Sequence, residues 1–440
     1  MKASLEDISS VKKRLLVEIG IDEVKEKVNR AYRELGKRAK IPGFRPGKVP
    51  RNILERYFGK EVLEDLKREL VNETLPKAVE DTKTSPLFMP IIESETLKMG
   101  QDFKYSAVIE VKPEFGLKDY KGIEVVKEIY SVSNEDVERQ LEEVRKTRGT
   151  LNSIDENRGI EEGEYAIIEY EGFEGEMPLE GIKAENFLLQ IGNNQFHPDF
   201  EKALIGLKKG DRTEIKVDFE ADHYHPKLDG KKVNFKVKIS DIKRMELPEL
   251  NDEFARNLEA DFTGLEDLKQ KINEGIIARE EKRVDRELKK RLLKKISDGV
   301  DFELPESLVE SEIHYAIENI KQNLIRSGSN FEKAGLNEER LIEEIRPASE
   351  KRVKDMLVLG EIARQNELTV NDMELSEGFK EMAVNMGQDP EVLRKYHEEN
   401  NLEGSFRQGL LEEKTLNYLV KCATVKELEA DKISREQDEK

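Results

Sequence analysis

Residues 42–50, Pro42-Gly43-Phe44-Arg45-Pro46-Gly47-Lys48-Val49-Pro50, can continue neither a helix nor a strand. Three prolines and two glycines in nine residues remove backbone donors and favour turns. Both flanks are nonetheless patterned as helices. Val24, Val28, Ala31, Tyr32 and Leu35 recur at three- and four-residue spacing before the stretch, and Ile53, Leu54, Tyr57 and Phe58 do so after it. Pro50 suits a first helical turn. The expectation is a stiff loop between two helices, with an aromatic ring and two cations at its tip.

Charge sharpens the point. Between Arg30 and Lys60 stand ten basic residues, opposed only by Glu34 and Glu55, a local +8 in a chain whose net charge is −19. Such a field fits an anionic partner. It also fits a solvated helical face with an ordinary turn. A Phe in the middle of a basic turn favours the first, because an exposed ring there has little structural use.

The 440 residues allow roughly two to four domains. Charged residues make up 38% and Trp is absent, which favours an elongated, helix-rich architecture over one large core. A single cysteine, Cys422, excludes an intramolecular disulfide and a Cys-based zinc cage, and is expected as a buried or idle thiol in a reducing compartment. The N-terminus lacks the apolar core of a secretory signal, and no run approaches the ~20 apolar residues of a spanning helix. The expectation is a soluble, cytoplasmic protein without membrane contact.

Taken in order, residues 1–112 read as an α+β unit. Leu15, Val17 and Ile19 alternate in a strand, and the helices around the loop follow. A further helix is expected over about 61–81, then strands near 87–92 and through Tyr105, Ala107, Ile109 and Val111. Residues 113–150 read as a linker with an extended segment around Ile123 and Val125. Its helix is capped by Ser133 and Asp136 and carries a thin stripe of Val137, Leu141 and Val144. Residues 151–245 carry short strands at 165–170, 187–191, 213–219 and 233–239, with a short helix near 200–204. Residues 246–440 are patterned as helices, with breaks expected at Pro305, 327–330, Pro347, 366–369 and Pro390, and a charged, frayed tail from Glu429. The fold class read from this order is multidomain α+β.

Gly43-Phe44-Arg45-x-Gly47-Lys48-x-Pro50 resembles the ribosome-docking signature of the trigger factor family of bacterial ribosome-associated chaperones. The resemblance implies an N-terminal ribosome-binding domain that meets ribosomal protein and rRNA beside the exit tunnel. Phe44, Arg45 and Lys48 would make the contacts, with Gly43, Gly47 and Pro50 holding the loop's shape. Position 46 is Pro here rather than a third cation. Residues 151–245 are similar to an FKBP-type peptidyl-prolyl isomerase domain, through Tyr170-Glu171-Gly172, Phe187-Leu188-Leu189, His197-Pro198-Asp199-Phe200, residues 205–210 and Phe235-Lys236-Val237. By that resemblance Tyr170, Phe187, Phe200, Tyr224 and Phe235 form the catalytic aromatic cup. No cofactor or ATP is implied, since isomerisation breaks no bond.

Three departures stand out: Glu174-Gly175-Glu176-Met177-Pro178-Leu179 lacks an expected aromatic, Asp199 replaces a glycine, and Asn193-Asn194-Gln195 replaces a glycine-bearing turn. The resemblance also makes 246–440 a helical domain with arms. It would hold nascent and unfolded polypeptides, assist folding and export, and allow a homodimer off the ribosome. Met356, Met373, Met382 and Met386, spread among Leu357, Phe379, Val384 and Leu393, suit either pliable binding or core filling. His197, His223 and His225 read as loop histidines and not as a metal site. Two rival readings are a dedicated prolyl isomerase whose helices dimerise or deliver substrate, and an RNA-associated module using the basic face alone.

Overall fold

The structure, a computed structural model, describes all residues except 43, 45, 46, 98, 99, 118, 155, 156, 221–227, 229, 259–261, 332–335 and 430–440, together with the side chains of 94–96. The chain is multidomain α+β and divides into two compact units. One comprises Met1–Lys127 and Glu287–Glu427, the other Glu128–Arg286 and Leu428–Lys440.

The first unit opens with β1 (Lys2–Asp7), β2 (Lys12–Ile19), α1 (Ile21–Arg38), α2 (Arg51–Asp81), β3 (Ile91–Thr96) and β4 (Phe103–Glu110). The strands form an antiparallel sheet in the order β1-β2-β4-β3. Alternation puts Leu15, Val17 and Ile19 of β2 and Phe103, Tyr105 and Ile109 of β4 into one core with Val24, Val28 and Tyr32 of α1. From α2, Leu54, Val62, Leu66 and Leu70 complete it. These residues continue one stripe, so the two helices expected at 53–58 and 61–81 are a single α2. Pro76 lies inside that helix as well. The strand expected at 87–92 begins only at Ile91. Leu87 donates a single bond to the Glu110 carbonyl (2.8 Å), and Pro90 has no N–H to give the ladder. Strand β1, with only Ala3 and Leu5 half-buried, was too polar to anticipate.

The segment that follows carries β5 (Glu124–Ile129) and α3 (Asn134–Thr147). Ser133 and Asp136 form the reciprocal capping box their spacing calls for. In the second unit, Leu141 of α3 is buried with Phe254, Ala255 and Leu268 of α5 (Asp252–Leu258) and α6 (Leu265–Asp298). Ahead of those helices come β6 (Thr150–Ser153), β7 (Tyr165–Glu174), β8 (Met177–Gln190), α4 (Pro198–Leu204), β9 (Arg212–Asp218) and β10 (Lys232–Glu246). The sheet runs β6-β10-β7-β8. Strand β9 also pairs with β10, along its first half, while β6 takes the second half. The inner face buries Ala166, Ile168, Phe235, Val237 and Ile239 against Phe200 and Leu204 of α4.

The chain returns to the first unit within α6, at Glu287, and goes on through α7 (Glu306–Arg326), α8 (Glu338–Gln365), α9 (Asp372–Met386), α10 (Pro390–Glu399), α11 (Glu403–Cys422) and β11 (Thr424–Glu429). Tyr120, Val125, Leu288, Leu292, Val358, Ile362 and Leu419 share one core. Val309, Ile313 and Ile317 share another with Val353 and Leu357, beside the stacked rings of Phe115 and Phe302 (4.1 Å). Pro347 does not break the chain as expected. It sits inside α8, whose following turns bury Ser349, Val353 and Leu357, and packing outweighs the ~3 kcal/mol helix penalty of proline. β11, another unanticipated strand, pairs with β5; Glu429 ends it, and the tail beyond lies outside the described residues. The N-terminal sheet meets these helices through two carboxylates. Glu303 accepts from the Ser9 and Ser10 hydroxyls (2.9 and 2.8 Å), and Glu110 accepts from the Ser307 amide (2.8 Å).

Candidate functional site

The loop between α1 and α2 is pinned at both ends. The Gly47 amide donates to the Gly36 carbonyl (3.1 Å), and Gly47 has φ +81°, a left-handed conformation glycine adopts without strain. Pro50 caps α2, its carbonyl accepting from Ile53 and Leu54. Between these anchors Phe44 is 39% exposed, and Lys48 is exposed too. Gly43, Arg45 and Pro46 lie outside the described residues. One flanking cation is committed elsewhere: Arg51 lies over the Tyr32 ring (5.2 Å) and pairs with Glu55 (2.7 Å). Arg33, Lys37, Arg38, Lys40, Arg56 and Lys60 remain exposed around the loop.

In the second unit the inner face of the half-barrel gathers aromatic rings. Phe200, on α4, and Phe235, on β10, are fully buried with centroids 5.3 Å apart, forming a floor. Tyr170 on β7 and Phe187 on β8 stand half-buried above it, 5.7 Å apart edge to face. Tyr170 meets Phe235 at 6.0 Å. Four of the five expected cup residues therefore converge, while Tyr224 lies outside the described residues, as do His223 and His225. Edge-to-face packing fixes each ring against its neighbours without needing a polar group in the cup.

One ring was missed. Phe196 sits 4.4 Å from Phe200, 5.4 Å from Tyr170 and 5.4 Å from Phe235, at the centre of the cluster. It is the residue just before the α4 cap His197, whose Nδ1 accepts from the Asp199 amide (3.3 Å). An apolar residue before a helix cap tends to fold back on the first turn, and that signal could have found it. Phe219, 6.2 Å from Phe235, extends the cluster further.

The departures also take shape. Met177 is exposed at the β7–β8 hairpin, where Gly175 turns with φ +64°. The Asp199 side chain is exposed, its Oδ2 3.9 Å from His197 Nδ1. The 193–195 turn is fastened from below by Glu201, buried at 2% exposure, whose carboxylate accepts from the amides of Gly192 (2.9 Å), Asn194 (3.0 Å) and Phe196 (3.0 Å).

The methionines divide. Met356 packs in the α7–α8 core, and Leu357, Phe379 and Leu393 are buried, so these fill the fold. Met373, Val384 and Met386 on α9 are exposed, as are Val392 and Tyr396 on α10.

A half-barrel with an aromatic inner face, carried in a larger helical chain, corresponds to a known class. Residues 156–240 match the family described as FKBP-type peptidyl-prolyl cis-trans isomerase, so the chain is an isomerase-bearing protein. Residues 1–144 match "Bacterial trigger factor protein (TF)" and residues 264–421 the C-terminus of the same family. The chain is 36% identical over 434 residues to a trigger factor of Geotalea uraniireducens, covering 98% of this chain and 100% of that one. A trigger factor of Caldicellulosiruptor bescii is 34% identical over 430 residues, covering 97% of each. A solved structure from work on promiscuous substrate recognition in folding and assembly by the trigger factor chaperone aligns with TM-score 0.50. Its identity is 24%, with 96% of this chain and 99% of that one covered, and it shares the fold. The chain belongs to the trigger factor family. It is a ribosome-associated chaperone with a peptidyl-prolyl isomerase domain, and it binds the ribosome and nascent chains.

Proposed function

We propose that the chain docks beside the polypeptide exit tunnel through the 43–50 loop. Phe44, Arg45 and Lys48 touch ribosomal protein and rRNA, and Gly43, Gly47 and Pro50 set the loop's shape. The observation that carries this reading is Phe44, an exposed ring between two anchored loop ends in a strongly basic stretch of an acidic chain. The functional division follows 1–112 for docking, 113–150 as linker, 151–245 for isomerisation and 246–440 for holding. Tethering raises the effective concentration of emerging chain, so weak, reversible contacts suffice and no ATP is needed. The exposed apolar side chains of α9 and α10 support a holding surface there. The protein works in the cytoplasm and forms a homodimer when free of ribosomes. Among the described residues no helix is long and apolar enough to cross a membrane.

Rotation about an X-Pro bond faces a barrier of ~18–20 kcal/mol because the planar amide is resonance-stabilised. A twisted amide loses that resonance and part of its dipole. A water-poor cup of Tyr170, Phe187, Phe200, Tyr224 and Phe235 solvates the twisted form better than the planar one, which is differential binding of the transition state. Phe200 and Phe235 give the cup a rigid base, and Tyr170 and Phe187 form its walls.

Two measurements on the full chain test the reading. In ribosome co-sedimentation, Phe44→Ala/Arg45→Ala/Lys48→Ala should abolish binding; undiminished binding removes the loop from the mechanism. In an X-Pro peptide assay and a proline-limited refolding reaction, the native chain should accelerate both and Phe187→Ala should slow both. Equal rates would dissociate the cup from catalysis.

A further inference from the structure

We infer that Glu201 is a positioning residue for the isomerase reaction, acting through Phe196; the inference rests on the aromatic cup being the active site. Phe196 belongs to no strand or helix, yet it touches Tyr170, Phe187, Phe200 and Phe235. Its ring can hold that place only if the backbone of 192–196 is fixed. That stretch contains Gly192 at φ +88° and Asn194 at φ +52°, both in the left-handed region, and is exposed from Gly192 to Gln195. Short polar turns of this kind are mobile when nothing ties them.

The tie is one carboxylate. Glu201 Oε2 accepts from Gly192 and Asn194, and Oε1 accepts from Phe196 itself. Amide-to-carboxylate bonds are charge-assisted and roughly twice as strong as neutral ones. A buried carboxylate must satisfy its oxygens, and here the turn's amides do so. Glu201 follows Phe200 on α4, so the same helical turn supplies the cup's floor and the anchor of its central ring. The turn whose sequence departs from the family pattern, Asn193-Asn194-Gln195, is thereby converted from a loose segment into a wall.

The test compares Glu201→Gln, Phe196→Leu and the double variant in the full chain, reading kcat/KM on an X-Pro peptide and amide hydrogen exchange across 190–200. Gln keeps the length but presents an NH2 group to amide donors, so it loosens the turn with little change in volume. The expected result is a fall in kcat/KM on the order of tenfold for Glu201→Gln. Exchange should quicken within 192–196 and stay unchanged in β7 and β10. The double variant should be no slower than Phe196→Leu alone. Unchanged kcat/KM in Glu201→Gln overturns the proposal, as does a loss that adds fully to that of Phe196→Leu. Exchange quickening across the whole sheet overturns it too, since Glu201 would then be a general stabiliser. If native chain and Phe196→Leu alike fail to accelerate the peptide, the cup itself is not the active site. The faster exchange at 192–196 would still report the anchor.

Discussion

A Cβ on Gly159 would fall 2.3 Å from the carbonyl oxygen of Gly206. The two backbones cannot part, because the Gly206 amide donates to the Ile160 carbonyl and the Ile160 amide to the Leu207 carbonyl, both at 2.9 Å. Gly159→Ala should therefore destabilise the half-barrel by ~1–3 kcal/mol, read as a lower denaturation midpoint. An unchanged midpoint would mean that this crossing is looser than its hydrogen bonds imply.

Floor and wall of the cup should separate in their effects. Phe200 is completely buried, so Phe200→Ala should cost ~3–5 kcal/mol of stability as well as activity. Phe187 is half-buried, and Phe187→Ala should cost clearly less stability while still slowing isomerisation. Parallel unfolding titrations and peptide assays distinguish the two.

Acid should act on Glu164. Burial pushes its pKa up, but hydrogen bonds from the Arg158 guanidinium (2.5 Å), the Glu161 amide (3.0 Å) and the Arg244 guanidinium (2.9 Å) outweigh that, and its pKa lies below the ordinary carboxylate value. A carboxylate depressed on folding stabilises the native state above its unfolded pKa and loses that contribution as pH falls through the folded one. Between neutral pH and about pH 3 the native chain should thus lose more thermal stability than Glu164→Gln does. Equal slopes would remove Glu164 as a source of acid sensitivity.

Gly47 bears on docking. Its φ of +81° strains any residue with a Cβ, so Gly47→Ala should distort the loop at a cost of about 1 kcal/mol. Ribosome binding should weaken severalfold with the global unfolding midpoint nearly unmoved. Full binding would show that the loop reshapes on contact.

Met373 and Val384, 76% and 82% exposed, lie three turns apart on one side of α9. Met373→Ser/Val384→Ser should weaken suppression of client aggregation while leaving thermal stability within ~0.5 kcal/mol. Undiminished suppression would move the holding surface elsewhere.

Most of this architecture was legible in the chain, because the informative residues act locally. Ser133 and Asp136 announced a helix start, and Pro305 and Pro390 marked helix beginnings that depend on nearby backbone alone. Pro347 misled because packing across α7 and α8 decides there, and spacing within one helix cannot report it. β1 was invisible since it is polar and buries little, and β11 since it also takes its partner, β5, from far along the chain. In the site, Tyr170, Phe187 and Phe235 were reached through the resemblance of their segments to an FKBP-type domain. Phe196 lies in an irregular turn whose course depends on Glu201, and no periodicity speaks for it.

The sharing of one core by Tyr120, Val125, Leu288 and Leu419 sets an order on the chain's own birth. At 5–20 residues per second, Tyr120 and Val125 leave the synthetic machinery ~15–60 s before Leu419 does. Until then their core lacks its last helix, whereas the half-barrel between them can close as soon as β10 has emerged. A protein that shelters unfinished chains must itself pass through that interval with its body open and its isomerase head already shut.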